Sequence, residues 1–323
     1  MSSPQVNLHA IHAANRRITG IAYKTPLYLS AALSKLTNAN VYLKLECYQP
    51  IRVFKIRGAA NKITQLSAEE KERGLVAASS GNHGLAVSYL AKLVGTQATV
   101  VVPTTAVEEK VRAIEEYGAK VVKEGLFHDE RFAKALEIQE STGAVLIPPF
   151  DDPDIIAGQG TIGLEILESL PDADAVVVPI GGGGLISGIA TAIKGLKPSA
   201  RVYGVEPERA SSMYHSVKNG KITRLTDTTS IADGLAAREP GKLTFDCTRR
   251  HVDEILLVTE EEIERAVFTT MKECHLIIEP SAAAAIAALL AKLHPERQAK
   301  IVVVVSGGNI SLKLLRQILS KYG

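Results

Sequence analysis

The chain has 323 residues, enough for one large or two ordinary domains. Its 37 basic residues nearly balance its 35 acidic ones, with no stretch that gathers Lys and Arg among aromatics, which argues against nucleic acid as the main partner. No apolar run approaches the ~20 residues needed to span a bilayer and the amino terminus lacks a secretory pattern, so a soluble, non-membrane, cytoplasmic protein is expected. Cys47, Cys247 and Cys274 are odd in number and far apart, which suits a reducing compartment and matches no zinc spacing.

In chain order, VYLKLE (41–46) reads as a strand, and QPIRVFKIRGAANKI (49–63) sets Lys55 between Phe54 and Ile56 at the start of a helix. Such a lysine is either an ordinary amphipathic side chain or an amine kept partly dehydrated for covalent chemistry. Four β-branched runs follow, beginning at Leu75, Ala98, Ala119 and Ala144, with helical patterns between them; spacings of 23, 21 and 25 residues suit βαβ units and a parallel sheet. A second series runs through AVVVPIGGGG from Ala175, ARVYGVEPE, DEILLVTEEE and KIVVVVSGGN. Because VYLKLE precedes the first series, the expected fold is α/β: two open, twisted, mostly parallel sheets flanked by helices, with a cleft between a discontinuous large domain (1–66 and 150–323) and a small domain (74–147).

Three strand-to-helix turns are candidates for binding anions. Gly181, Gly182, Gly183 and Gly184 lie between a buried strand and a helix, where backbone N–H groups can converge on a phosphate; the alternative is a tight packing turn. The loop lacks the third glycine of a dinucleotide fingerprint and the lysine of a nucleoside-triphosphate loop, although Glu206 at the end of the next strand keeps a nicotinamide-dependent dehydrogenase in view. Ser79, Ser80, Gly81, Asn82, His83 and Gly84 end one strand and open a helix, which suits a small carboxylate or, more plainly, an N-cap. Ser306, Gly307, Gly308 and Asn309 form a third turn of this kind. Neither HExxH, GxSxG nor a His/Cys cluster occurs, so metal hydrolysis and a serine triad have no support, and Lys55 is the remaining candidate for covalent chemistry.

FKIRGA around Lys55, SSGNHG, the tetraglycine loop and the final SGGN turn, in that order, resemble the fold-type II pyridoxal-phosphate enzymes. More narrowly they resemble the threonine/serine dehydratase and serine racemase family, as do DIIAGQGTIGLEI, SIADGLA and IIEPSAAAAIAAL, so the likeness runs from about Ile18 to the end. The resemblance implies pyridoxal 5'-phosphate as cofactor, with Lys55 as the Schiff-base lysine beside Phe54, and Asn82 on the cofactor's 3-hydroxyl. It also implies Gly181 to Gly184 around the phosphate and Ser306 at the pyridine nitrogen. Ser79, Ser80, Gly81, Asn82 and His83 would then meet the substrate, mainly through backbone N–H groups on its carboxylate.

The activity implied is β-elimination of L-threonine or L-serine to a 2-oxo acid and ammonia, with Lys55 taking the Cα proton and the cofactor carrying the charge. Serine racemase is the alternative, since Ser80 occupies the place of the family's second acid/base; dual activity is compatible with both. Val53, where family members commonly have serine, and Pro148, where histidine is frequent, leave phenylserine and 3-hydroxyaspartate open as substrates. A non-catalytic amino-acid sensor and the dehydrogenase stand as further alternatives. The family's racemases bind a divalent cation through positions matched here by Glu206, Ala210 and Ser212; serine in place of aspartate removes a charged ligand and leaves a weak Mg²⁺, Ca²⁺ or monovalent site as the expectation. A homodimer acting on a small-molecule amino acid, without an appended regulatory domain or isoleucine inhibition, completes what the resemblance implies.

Overall fold

The computed structural model describes residues 6–79, 81–106, 108–126 and 128–323. Among these residues ten strands form two sheets. The first contains β1 (Leu27–Leu29), β2 (Asn40–Leu45), β7 (Ala175–Pro179), β8 (Arg201–Pro207), β9 (Glu254–Val258) and β10 (Lys300–Val305), in the order β1-β2-β10-β7-β8-β9. The second contains β3 (Leu75–Ala78), β4 (Ala98–Val102), β5 (Lys120–Lys123) and β6 (Val145–Leu146), in the order β5-β4-β3-β6. All pairings are parallel except β1 with β2.

Burial explains the apolar runs. Every residue of β7 is buried, as are Ile301 to Val305 of β10, because helices cover both faces of a parallel sheet and leave no polar face to alternate. On one side of the first sheet the helix Pro280–Ala291 lies in a cluster with Val41, Val177 and Val303. On the other, the helices Pro153–Ser169 and Gly184–Leu196 contribute Ile162, Ile166, Ile186 and Ile189 to a cluster with Val176, Val178 and Val302. A third cluster joins the second sheet, through Leu75, Ala77 and Val100, to Ile56, Ala60 and Ile63 of the helix Lys55–Ile63. Among the described residues no helix is long and apolar enough to cross a membrane.

Candidate active site

Lys55 is the first residue of its helix, and the segment before it is stitched to the turn after β10. Phe54 N donates to Ser306 O at 3.0 Å, Val53 and Gly307 form an antiparallel bridge, and Gly308 N donates to Arg52 O at 2.9 Å. Asn309 Nδ2 adds a bond to Ile51 O at 3.1 Å. Two stretches some 250 residues apart in sequence are thereby held as one unit, and their antiparallel register brings Lys55 and Ser306 to the same end of it. Val53 is fully buried with Ile51 and Ile56, so the hydroxyl expected at that position in relatives would here enter an apolar cluster.

The Lys55 amine is partly withdrawn from water. Its Nζ donates to Pro149 O at 2.7 Å and lies 5.2 Å from the centre of the Phe54 ring. Loss of hydration pulls its pKa down to about 8, opposed by the negative charge of Glu279. An amine in this state has a usable lone pair near neutral pH, as a nucleophile or a base needs.

The glycine loop enters the helix Gly184–Leu196 through Gly183, whose φ of +93° lies in the region that side chains rarely adopt. A Cβ on Gly182 would lie 2.3 Å from the Phe150 ring, so the loop also packs tightly. The two alternatives for this turn therefore coexist: the loop is closely packed behind and still offers the unpaired N–H groups of a helix start in front. Its walls are fixed as well. Thr244 Oγ1 donates to Gly182 O at 2.7 Å, and Asp151 next to Phe150 accepts from Leu243 N at 2.9 Å at the start of the helix Lys242–His251.

The turn that begins at Ser79 opens the helix Asn82–Val94, with Gly81 at its N-cap position. Ser79 Oγ accepts from Gly81 N at 3.3 Å, and His83 is buried with its Nε2 2.8 Å from Ile147 O, which pins the helix start to the end of β6. Ser80 lies outside the described residues.

Asn82 spans the space between the two sheets. Its Oδ1 accepts from Asn309 Nδ2 at 2.9 Å, and its Nδ2 donates to both carboxylate oxygens of Glu279, at 2.8 and 2.9 Å. Lys55, Asn82, Ser306 and Asn309 are thus in one network with a residue that the sequence reading missed. Glu279 sits at the N-cap position of the helix Pro280–Ala291 but caps nothing; its side chain turns to Asn82 instead. Burial pushes its carboxyl up to about 7, partly offset by the bond from Asn82. The signal was present in the sequence, since Glu279 is the lone charge between Leu276 and Ala291.

Glu206, Ala210 and Ser212 stand apart from this network, linked to it through Met213, whose methyl approaches Gly183. Glu206 accepts from Met213 N at 3.0 Å and Tyr214 N at 2.7 Å, and burial pushes its carboxyl up to about 8. Both of its oxygens serve the start of the helix Ser212–Asn219, and no group of three His, Cys, Asp or Glu side chains that could hold a metal occurs among the described residues. A single carboxylate so engaged fits a hard divalent cation poorly.

A family profile described as pyridoxal-phosphate dependent enzyme matches residues 18–307. The chain belongs to that family. Within it, the likeness is to the group that the motifs resemble. The L-threonine ammonia-lyase of Thermotoga maritima is 44% identical over 316 residues, which are 98% of this chain and 79% of that protein. The catabolic L-threonine dehydratase TdcB of Escherichia coli K12 is 44% identical over 315 residues, 97% of this chain and 96% of that one. Among solved structures, maize serine racemase superposes with a TM-score of 0.93 at 37% identity, covering 99% of this chain and 98% of the other. The expected two-sheet fold and the expected cofactor are those of the family.

Proposed function

We propose that this enzyme eliminates the β-hydroxyl of L-threonine or L-serine, giving a 2-oxo acid and ammonia. The observation that carries the reading is Lys55: a partly dehydrated amine, pulled down to about 8 and tied through Phe54 to the Ser306 turn, in a chain 44% identical to an L-threonine ammonia-lyase and to an L-threonine dehydratase. When bound, pyridoxal phosphate supplies an aldehyde that condenses with amines and a ring that takes up the electron pair released at Cα. Lys55 Nζ would hold that aldehyde in the resting enzyme and, once free, would take the Cα proton of the substrate.

The N–H groups of Gly181 to Gly184 and the helix they open hold the phosphate. Asn82 would hold the cofactor's 3-hydroxyl and Ser306 would face its ring nitrogen, where a neutral hydroxyl, unlike a carboxylate, would not enforce protonation of the ring. The backbone N–H groups of Gly81 and His83 and the hydroxyl of Ser79 receive the substrate carboxylate; the Ser79 N–H expected to share in this is spent on Val101 O at 3.0 Å. The four-stranded half carrying the Asn82 helix closes over the substrate, and the enzyme acts as a homodimer, which light scattering checks.

The test is to incubate the holoenzyme with L-threonine, L-serine, L-threo-3-hydroxyaspartate and phenylserine, assay 2-oxo acid and ammonia, and map the cofactor after borohydride treatment. Turnover of the first two and cofactor mass on the peptide containing Lys55 are expected. Cofactor on another lysine, or no 2-oxo acid from any substrate, would overturn the reading. Serine racemization is the second reading, favoured by the likeness to maize serine racemase. In that case Ser80→Ala abolishes interconversion of L- and D-serine and spares elimination.

A further inference from the structure

Glu279 is an acidic side chain only 6% exposed, and among the described residues it makes no ion pair of the kind that a buried charge usually has. Its bonded neighbours among the described residues are neutral: the amide of Asn82, which presents its Nδ2 to both carboxylate oxygens, and the backbone of Asn309. The backbone has been shaped to admit the carboxylate, for a Cβ on Gly307 would lie 2.4 Å from Oε1. Glu279 N also donates to Gly307 O at 3.2 Å, so the acid is built into the turn that carries Ser306. An ordinary N-cap role is absent, and burial of an acid at this cost calls for another.

The amide of Asn82 has one donor end and one acceptor end. With Asn309 Nδ2 on its Oδ1, only an acceptor can satisfy Nδ2, and Glu279 is that acceptor. The carboxylate therefore fixes which end of Asn82 faces which neighbour. Its charge also reaches the Lys55 amine, favouring the protonated form. Other groups facing Glu279 are Asp233, whose negative charge pushes it up, and Lys110, whose positive charge opposes that.

We infer that Glu279 is a positioning residue of the cofactor site, orienting the Asn82 amide and setting, by its charge, the pH at which the amine-bearing centre at Lys55 gains its proton. The inference rests on Lys55 being the cofactor lysine, as proposed above, but not on which substrate is turned over.

The experiment is a pH titration of the visible absorbance of the bound cofactor in wild type, Glu279→Gln and Glu279→Asp holoenzymes, alongside cofactor affinity for Asn82→Ala and the Asn82→Ala/Glu279→Gln pair. Glutamine keeps an acceptor for Asn82 and removes the charge. Its midpoint is expected to move down by about one pH unit, whereas aspartate, which keeps the charge, restores the wild-type midpoint to within a few tenths of a unit. The loss of affinity from Glu279→Gln is expected to shrink once Asn82 is alanine, since the two act as one unit.

Identical pH profiles in wild type and Glu279→Gln, including two flat ones, overturn the inference, as does an additive pair. If Glu279→Gln does not fold, wild type against Glu279→Asp decides: a displaced profile in the aspartate variant overturns it, and a matching one with weakened affinity supports it. Failure of the proposed elimination would appear instead as absent 2-oxo acid in wild type, with these spectra unaffected.

Discussion

The helix Lys55–Ile63 divides two sets of buried charges that are built on opposite rules. Behind it, Arg57 and Lys44, both 1% exposed, meet Glu46 and Glu165 in a closed quartet. Arg57 Nε and Nη2 each bond Glu46 at 2.8 Å, Arg57 Nη1 bonds Glu165 at 2.6 Å, and Lys44 Nζ bonds Glu165 at 2.5 Å. Burial opposes ionisation of Glu46, yet the Arg57 guanidinium beside it holds its carboxyl below the usual range; Lys44 is pulled down by burial against the attraction of both carboxylates. In front of the helix, Lys55 and Glu279 are withdrawn from water with a carbonyl and an amide as their bonded neighbours. The quartet cancels its charges and fixes the helix between β2 and Pro153–Ser169; the front pair keeps both groups near neutral pH, where they can exchange protons.

The contrast predicts opposite signs. Lys55→Met should give the largest effect, lowering kcat for threonine by at least about 10³-fold, because it removes both the anchor and the base. The cofactor-free variant should nevertheless be more stable. A lysine pulled from 10.5 down to about 8 weakens the fold below its folded pKa, and that penalty fades as pH rises from about 8 to about 10.5. Urea unfolding at pH 7 should show a gain of up to about 3 kcal/mol, vanishing near pH 10.5. Arg57→Met does the reverse: Glu46 and Glu165 lose a buried partner, and unfolding should show a loss of about 3–5 kcal/mol. Equal signs in the two variants would erase the distinction.

Glu279→Gln sharpens it on the acidic side. The carboxyl is raised from 4.5 to about 7, so the folded protein holds its proton more tightly than the unfolded chain, and stability contributed at low pH is lost as pH rises through about 7. Glutamine carries no such proton. The cofactor-free variant should match wild type near pH 4.5 and exceed it above pH 7 by up to about 3 kcal/mol, read from urea unfolding at a series of pH values. An unchanging difference across that range would mean that Glu279 is ionised throughout, like the carboxylates of the quartet.

How much of this was legible in the sequence follows from the same physics. Strands β3, β4, β7, β8 and β10, and β2 beside them, were visible because sheets covered on both faces demand continuous β-branched runs, and the partly exposed edges β5, β6 and β9 still carry Val, Leu and Ile pairs at the spacing of the βαβ repeat. Strand β1 was not: Leu27–Leu29 is a three-residue antiparallel edge with two exposed side chains, too short to show a period. The three turns and Lys55 could be read from residue type alone, since a loop that receives an anion needs glycine and small polar residues wherever it lies. The quartet could not, because its partners are 11 to 121 residues apart and charge gives no hint of pairing at that range. Glu279 was flanked by the right signal but its direction was hidden, as an acid before Pro280 looks like a helix cap until Gly307 opens a path to Asn82. For Glu206, sequence matched a ligand position while the structure spends both oxygens on backbone N–H groups.

A third kind of charge contact lies at the rim of the cleft, and it sets the lower bound of the comparison. Lys110, on the helix Glu108–Glu115 beside the second sheet, pairs with Asp233 from the SIADGLA stretch, joining the two halves of the molecule across solvent. With side chains 37% and 67% exposed, the pair keeps most of its hydration and is screened by salt, so Asp233→Asn should change unfolding free energy by no more than about 1 kcal/mol. Its effect should fall on the closure proposed above, to which a contact between the two halves would add, so the variant should raise KM for threonine severalfold with kcat nearly constant. Wild type should approach the variant's KM as ionic strength rises to about 0.5 M, where the Debye length is a few ångströms. A salt-independent KM difference would assign Asp233 to substrate contact instead of closure, and would move it from the rim into the same class as Glu279.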